Sequence, residues 1–272
     1  MPVFDCDDLA DPRLAPYQTL QRQEDHRRAA IFVAEGPTVV ERLLRSPLGV
    51  VSALVARPWL ERLGPLLRAR ADDPAVFVAP VALVERITGF AYHQGILAVG
   101  RCPPEPVLDD VIARAPRPRL VVALDGVTGP DNVGGILRTA SALGVAAVLA
   151  GERAASPFLR RAVRVSMGGV LSVPVVHAAD LAAALARLAG AHGVRVVAAE
   201  AHGGRLLGGY TFPEDACIVL GHEFDGLSPA VRAVCGDLVT IPMSGDLDSL
   251  NVASAGAVLM WEFRRQHPQG PP

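Results

Sequence analysis

The chain contains no lysine; arginine supplies all 26 basic side chains among 272 residues. Without lysine, a Walker-type phosphate loop is excluded. Aromatic residues make up only 5%. Alanine, valine and leucine dominate instead, which suits helices packed on a sheet better than an all-β sandwich. There is no strong excess of charge of either sign, the net being −2. That argues against loose, charge-driven coating of nucleic acid and leaves room for a local arginine patch. The four cysteines, Cys6, Cys102, Cys217 and Cys235, form no Cys-x-x-Cys pair and have no histidine at zinc spacing. Neither a disulfide framework nor a metal site is expected, and reduced thiols point to the cytoplasm. No apolar run approaches the roughly 20 residues of a membrane helix. The acidic N-terminus, Met-Pro-Val-Phe-Asp-Cys-Asp-Asp, lacks the apolar core of a secretory signal.

What is present is alternation. Short apolar runs at 31–35, 50–56 and 75–78 are separated by segments of helical periodicity. They predict a small α/β domain over residues 1–104. Proline crowds the next stretch (Pro103, Pro104, Pro106, Pro116, Pro118), so 105–119 is expected to be a linker, with one short helix at 108–114. From 120 to 266 the pattern resumes, with strands predicted at 120–124, 145–150, 171–176, 194–199, 216–220 and 238–241. Helices are predicted at 133–143, 157–167, 180–191, 229–235 and 250–265. The fold class is α/β with a mostly parallel sheet, and ligands are expected beyond the carboxyl ends of its strands.

Three polar stretches interrupt this pattern at strand ends. The first, Leu124 to Ala140, carries Asn132, Gly134, Gly135 and Arg138. With Asn132 as a helix cap, both Asn132 and Arg138 reach the same loop region. Glycines early in a helix cost roughly 1 kcal/mol each against alanine, and make sense where another backbone or a ligand comes close. The motif Gly-x-Gly-x-x-Gly is absent here, which disfavours a dinucleotide site. The second stretch is Gly221-His222-Glu223-Phe224-Asp225-Gly226. Gly221 allows a sharp exit from its strand, Glu223 is an acceptor, and His222 is expected simply to be exposed. The third runs from Ile241-Pro242-Met243 to Ser249-Leu250-Asn251-Val252, with Ser249 placed to cap the following helix.

In this order and spacing, three sets of residues carry a resemblance. They are Asn132-x-Gly134-x-x-x-Arg138-Thr139-Ala140, then Gly221-x-Glu223-x-x-Gly226, then Ile241-Pro242-Met243 with Ser249-Leu250-Asn251-Val252. The chain resembles the SpoU/TrmH family of RNA ribose 2′-O-methyltransferases, in the SPOUT class. Arg164-x-Ser166-x-Gly168 adds to this. The N-terminal part is similar to the family's ribosomal-protein-like substrate-binding domain through Phe32-Val33-x-Glu35-Gly36 and His93-Gln94-Gly95-Ile96-Leu97-Ala98.

The resemblance implies a C-terminal trefoil knot, S-adenosylmethionine as cofactor and a homodimer. It implies RNA as substrate, ribosomal RNA favoured over transfer RNA. A catalytically idle RNA-binding factor of the same fold is the alternative. Carried over by position, Ala199, Gly221, Ile241 and Leu250 would bind the cofactor, and Asn132, Arg138, Glu223, Ser249 and Asn251 would form the catalytic set. Arg153, Arg160, Arg161 and Arg164 are candidate RNA contacts, and Phe90 and Tyr92 candidate stacking residues.

Overall fold

The structure, a computed structural model, describes residues 1–8, 10–18, 23–88, 95–244 and 248–268. Phe90, Tyr92, His93 and Gln94, and the tip of the third stretch at 245–247, lie outside the described residues. In chain order the first strands and helices are β1 (Val3–Asp5), α1 (Ala15–Gln18), α2 (Gln23–Arg28), β2 (Ile31–Glu35), α3 (Pro37–Arg45), β3 (Val50–Val55), α4 (Arg57–Arg68), β4 (Ala75–Val78), α5 (Val81–Thr88) and β5 (Ile96–Arg101). Then come α6 (Leu108–Arg114), β6 (Arg119–Asp125), α7 (Pro130–Ala142), β7 (Ala147–Gly151), α8 (Arg160–Val165), β8 (Val175–Ala178) and α9 (Leu181–His192). The chain finishes with β9 (Arg195–Ala199), β10 (Arg205–Leu206), β11 (Asp215–Gly221), α10 (Pro229–Val234), β12 (Asp237–Thr240) and α11 (Val252–Gln266).

Two compact units result. The first comprises Met1–Pro104 together with Phe158–Ser172; the second comprises Glu105–Pro157 and Val173–Pro272. In the first, a mixed five-stranded sheet is ordered β1-β4-β3-β5-β2. Leu14, Tyr17, Val33, Leu54, Phe77 and Leu97 fill one core cluster. The segment at 158–172, expected to belong with the downstream sheet, packs here. Its arginines explain why: Arg160 Nε and Arg164 Nη1 donate to the buried Glu35 carboxylate at 2.5 and 3.1 Å. The Phe158 ring packs at a 43° tilt on Phe32, centroids 5.4 Å apart, and Arg42 donates to the Met167 carbonyl at 2.6 Å. Helix α8 starts only after Phe158, not at the Ser156-Pro157 pair. Arg160 and Arg164 thus both pair with Glu35.

The second unit is built on a seven-stranded sheet ordered β10-β12-β9-β11-β6-β7-β8. Every neighbouring pair is parallel. Its interior strand β6 is buried at all seven positions, as a strand covered on both faces must be. Ile112, Leu181, Leu185, Leu188 and Val231 cover one face over Val121, Ala123, Leu149 and Val219. Ile112 belongs to α6, so the proline-rich 105–119 stretch contributes to the core rather than serving only as a linker. Helices α7 and α11 cover the other face, where a side chain at Gly256 would meet Leu220 at 2.9 Å and Ile136 at 3.8 Å. Strand β8 begins later than its hydrophobicity predicts, because Pro174 has no N–H to give a ladder; the strand opens immediately after it.

Candidate functional site

Strands β9, β11 and β12 end side by side, and the chain leaves each as a loop. Between these ends lies a pocket of about 450 Å³ lined by Ala199, Glu200, Leu220, Gly221, Glu223, Phe224, Ile241, Met243, Asp248, Ser249, Leu250, Asn251 and Leu259, among others. Its size suits a small-molecule ligand. All four residues predicted to hold the cofactor line it: Ala199, Gly221, Ile241 and Leu250. Among the described residues, the lining pairs apolar walls with three carboxylates, Glu200, Glu223 and Asp248, and contains no arginine. Such a site favours a cationic ligand over an anionic one.

Gly221 makes the pocket possible. A β-carbon there would sit 2.5 Å from the Gly226 carbonyl carbon and 2.8 Å from the Leu227 nitrogen. The chain folds back this tightly because His222 and Gly226 exchange backbone hydrogen bonds of 2.9 and 3.0 Å, with Gly226 at φ +69°. His222, expected to be merely exposed, organises the turn. Its Nδ1 lies 3.3 and 3.1 Å from the N–H groups of Phe224 and Asp225 and 3.2 Å from the Asp225 carboxylate.

Side-chain hydrogen bonds tie the three motifs together. Asn251 caps α11: its Oδ1 accepts from Ala253 and Ser254 N–H at 3.0 and 3.2 Å. Its Nδ2 is left to donate to Asn132 Oδ1 at 2.8 Å. Asn132 Nδ2 then donates to Glu223 Oε1 at 2.7 Å, and Gly129 N–H reaches the same oxygen at 3.3 Å. One capping contact therefore fixes the orientation of both amides. Burial pushes the Glu223 carboxyl up, but the bonds from Asn132 and from backbone N–H groups outweigh it and hold the pKa below the usual glutamate value. Glu223 Oε2 is buried with no hydrogen-bond partner among the described residues, so it can take one more donor.

Two expectations about this site are corrected. Ser249 does not cap the last helix; Asn251 does, two residues later, while Ser249 stays exposed on the pocket wall. Asn132 is not a cap either. Gly129 is, with Pro130 at the first helical position, where a missing N–H costs nothing. Asn132 and Arg138 are then six residues apart within one helix, about 120° around its axis. Arg138 is accordingly exposed and absent from the pocket lining. Gly135 fulfils its expectation of close approach, since a β-carbon there would meet Ala253 of α11 at 3.2 Å. Arg153, a candidate RNA contact, is half exposed and donates to the buried Asp125 at 3.2 Å. Glu200, Asp248 and Phe224 were not singled out in the sequence; each sits at a strand end or in a motif loop, and that placement was the available signal.

Comparison with known proteins agrees with this geometry. The SpoU rRNA Methylase family matches residues 119–261. An uncharacterized tRNA/rRNA methyltransferase of Mycobacterium bovis is 36% identical, over 99% of this chain and 94% of that protein. The 23S rRNA (guanosine-2′-O-)-methyltransferase RlmB of Acinetobacter baylyi is 36% identical over 67% of this chain and 75% of that protein. The AdoMet-bound rRNA methyltransferase structure from Sinorhizobium meliloti aligns with a TM-score of 0.85 at 26% identity, over 98% of this chain and 99% of that one. The chain belongs to the SpoU rRNA methylase family.

Proposed function

We propose that this protein transfers a methyl group from S-adenosylmethionine to a ribose 2′-hydroxyl of ribosomal RNA, acting as a homodimer. The observation that carries this reading is the Asn251–Asn132–Glu223 chain of hydrogen bonds on the wall of the carboxylate-lined pocket. The reading draws support from the names of the Acinetobacter relative and the Sinorhizobium structure.

The residues present fit the methyl donor. Leu220, Ile241, Met243, Leu250 and Leu259 form an apolar wall for a flat base, while Glu200 and Asp248 offer acceptors for hydroxyl and ammonium groups. The bound donor supplies an electrophilic methyl on a positively charged sulfur. The chain supplies position, which alone lowers such a barrier by several kcal/mol when the reacting atoms are held in line. Glu223, kept ionised by its hydrogen bonds, is a poor proton acceptor and acts by fixing Asn132. Arg138 is a permanent cation and a poor base for the same reason that it is a good phosphate ligand.

Because Arg138 faces away from its own pocket, it serves the pocket of a second copy in this reading. The exposed Val258 and Trp261 on α11, 39% and 59% accessible, supply an apolar surface for the pairing. The first unit selects the RNA, and the trefoil knot belongs to the same proposal. Calorimetric titration with S-adenosylmethionine, followed by methyl transfer from labelled donor to separated ribosomal and transfer RNA pools, tests it. Donor binding with labelling of ribosomal RNA is expected; donor binding without any labelled RNA would sink it.

A further inference from the structure

Among the described residues, no large apolar side chain is more exposed than Phe224, at 94%. Its backbone is nonetheless held. The His222–Gly226 pair closes the turn around it, and His222 Nδ1 accepts its N–H. The His222 ring lies 5.9 Å away, tilted by 51°. Phe224 is thus presented to solvent on a pinned turn beside the pocket, one residue from Glu223, with the largely covered His222 ring next to it.

We infer that Phe224, backed by His222, is a stacking platform for a single-stranded base of the RNA acceptor, next to the ribose offered to the pocket. This rests on the ribose-methylation reading above. Charge selects a base over a phosphate at this place. Among the described residues of its own copy, the adjacent lining holds Glu200, Glu223 and Asp248 and no arginine, so a phosphate placed on Phe224 would be repelled by these carboxylates where a neutral, flat base is not. Unpaired bases stack on aromatic faces whatever their identity, so the platform positions the acceptor strand without itself reading its sequence. Phe224 is a positioning residue for the acceptor: Glu223 and Asn132 stand behind it, and the ring touches RNA rather than the reacting atoms.

The test compares Phe224→Ala, Phe224→Leu and Phe224→Tyr with the unaltered full chain. Methyl transfer to deproteinised ribosomal RNA gives KM and kcat. Anisotropy of a fluorescein-labelled single-stranded oligoribonucleotide gives RNA affinity without catalysis. Phe224→Ala is expected to raise the RNA KM and weaken oligonucleotide binding roughly tenfold to a hundredfold. Its donor affinity should fall far less than its RNA affinity, although Phe224 borders the pocket, and its thermal midpoint and oligomeric state should stay unchanged. Phe224→Tyr should restore both RNA readouts and Phe224→Leu should not. Rescue by leucine, unchanged RNA binding in Phe224→Ala, an equal loss of donor affinity (the ring covers the donor) or dissociation of the oligomer (the ring faces a second copy) would each overturn the inference. If the unaltered chain methylates no RNA, the functional reading fails, and the anisotropy comparison still decides the role of Phe224.

Discussion

Asn132 Nδ2 donates to Glu223 Oε1 at 2.7 Å across 91 residues of sequence, joining the loop after β11 to the first turn of α7. Glu223 and the Asn251 cap both line the pocket, and Asn251 holds the other end of the Asn132 amide. Each of the three polar stretches thus contributes one member of a single chain of hydrogen bonds. Replacing any of them leaves its neighbours misoriented.

This pair has a pH signature. Glu223 titrates below the usual glutamate value in the folded protein. Its contribution to stability is therefore fully present above the unfolded value of about 4.3 and is lost as pH falls through the folded value. In Asn132→Ala the hydrogen bond that lowers the pKa is gone while burial, which raises it, remains. The Glu223 carboxyl should then titrate at higher pH, followed by carbon-13 NMR of the side-chain carboxyl. An unmoved titration would separate Glu223 from Asn132.

Arg138 separates binding from chemistry. Arg138→Ala should leave S-adenosylmethionine affinity within a factor of about two, since the side chain does not line the pocket, and should reduce methyl transfer by roughly a hundredfold or more. Mixing Arg138→Ala with Asn132→Ala, each inactive alone, should restore activity, because a mixed dimer rebuilds one complete site. A mixture as inactive as its parts would place Arg138 at its own subunit's pocket.

Gly221 tests the pocket wall. In Gly221→Ala the new methyl meets the Gly226 backbone at 2.5 Å. Forcing the turn apart costs about 1–3 kcal/mol, read as a roughly five- to hundredfold loss of donor affinity. Gly190→Ala is the control: it lies in α9 with nothing within 4 Å of the new methyl. It should stabilise the protein by up to about 1 kcal/mol and leave donor binding alone.

Away from the pocket, Arg119 and Asp215 face each other across β6 and β11. They are joined by two hydrogen bonds of 2.9 and 2.7 Å, and both are buried. Asp215→Ala strands the guanidinium and should cost about 3–5 kcal/mol in urea unfolding. The double replacement Arg119→Met with Asp215→Leu should cost less than the single one.

Much of this architecture is legible in the sequence, because parallel strands buried on both faces read as unbroken apolar runs: Leu120 to Leu124 and Ala216 to Leu220 are such runs. The motif residues are legible too, since loops after strands are where polar residues have little structural reason to gather. What the sequence conceals depends on partners distant in the chain. Nothing near Arg160 or Arg164 announces that Glu35, more than 120 residues earlier, binds both. The starts of α7 and α11 were misplaced for a more local reason. Gly129-Pro130 and Asn251 compete as caps with Asn132 and Ser249, and backbone geometry rather than residue type chooses between them. That three-residue difference decides which way Arg138 faces.

The most direct test of the central claim is the position of the transferred methyl group. The protein is incubated with S-adenosylmethionine labelled in its methyl group and with deproteinised ribosomal RNA, and the RNA is then hydrolysed in alkali. The account predicts label in alkali-resistant dinucleotides, the mark of a methylated ribose 2′-oxygen, and its disappearance with Arg138→Ala. Label recovered on a base in alkali-sensitive mononucleotides would contradict it.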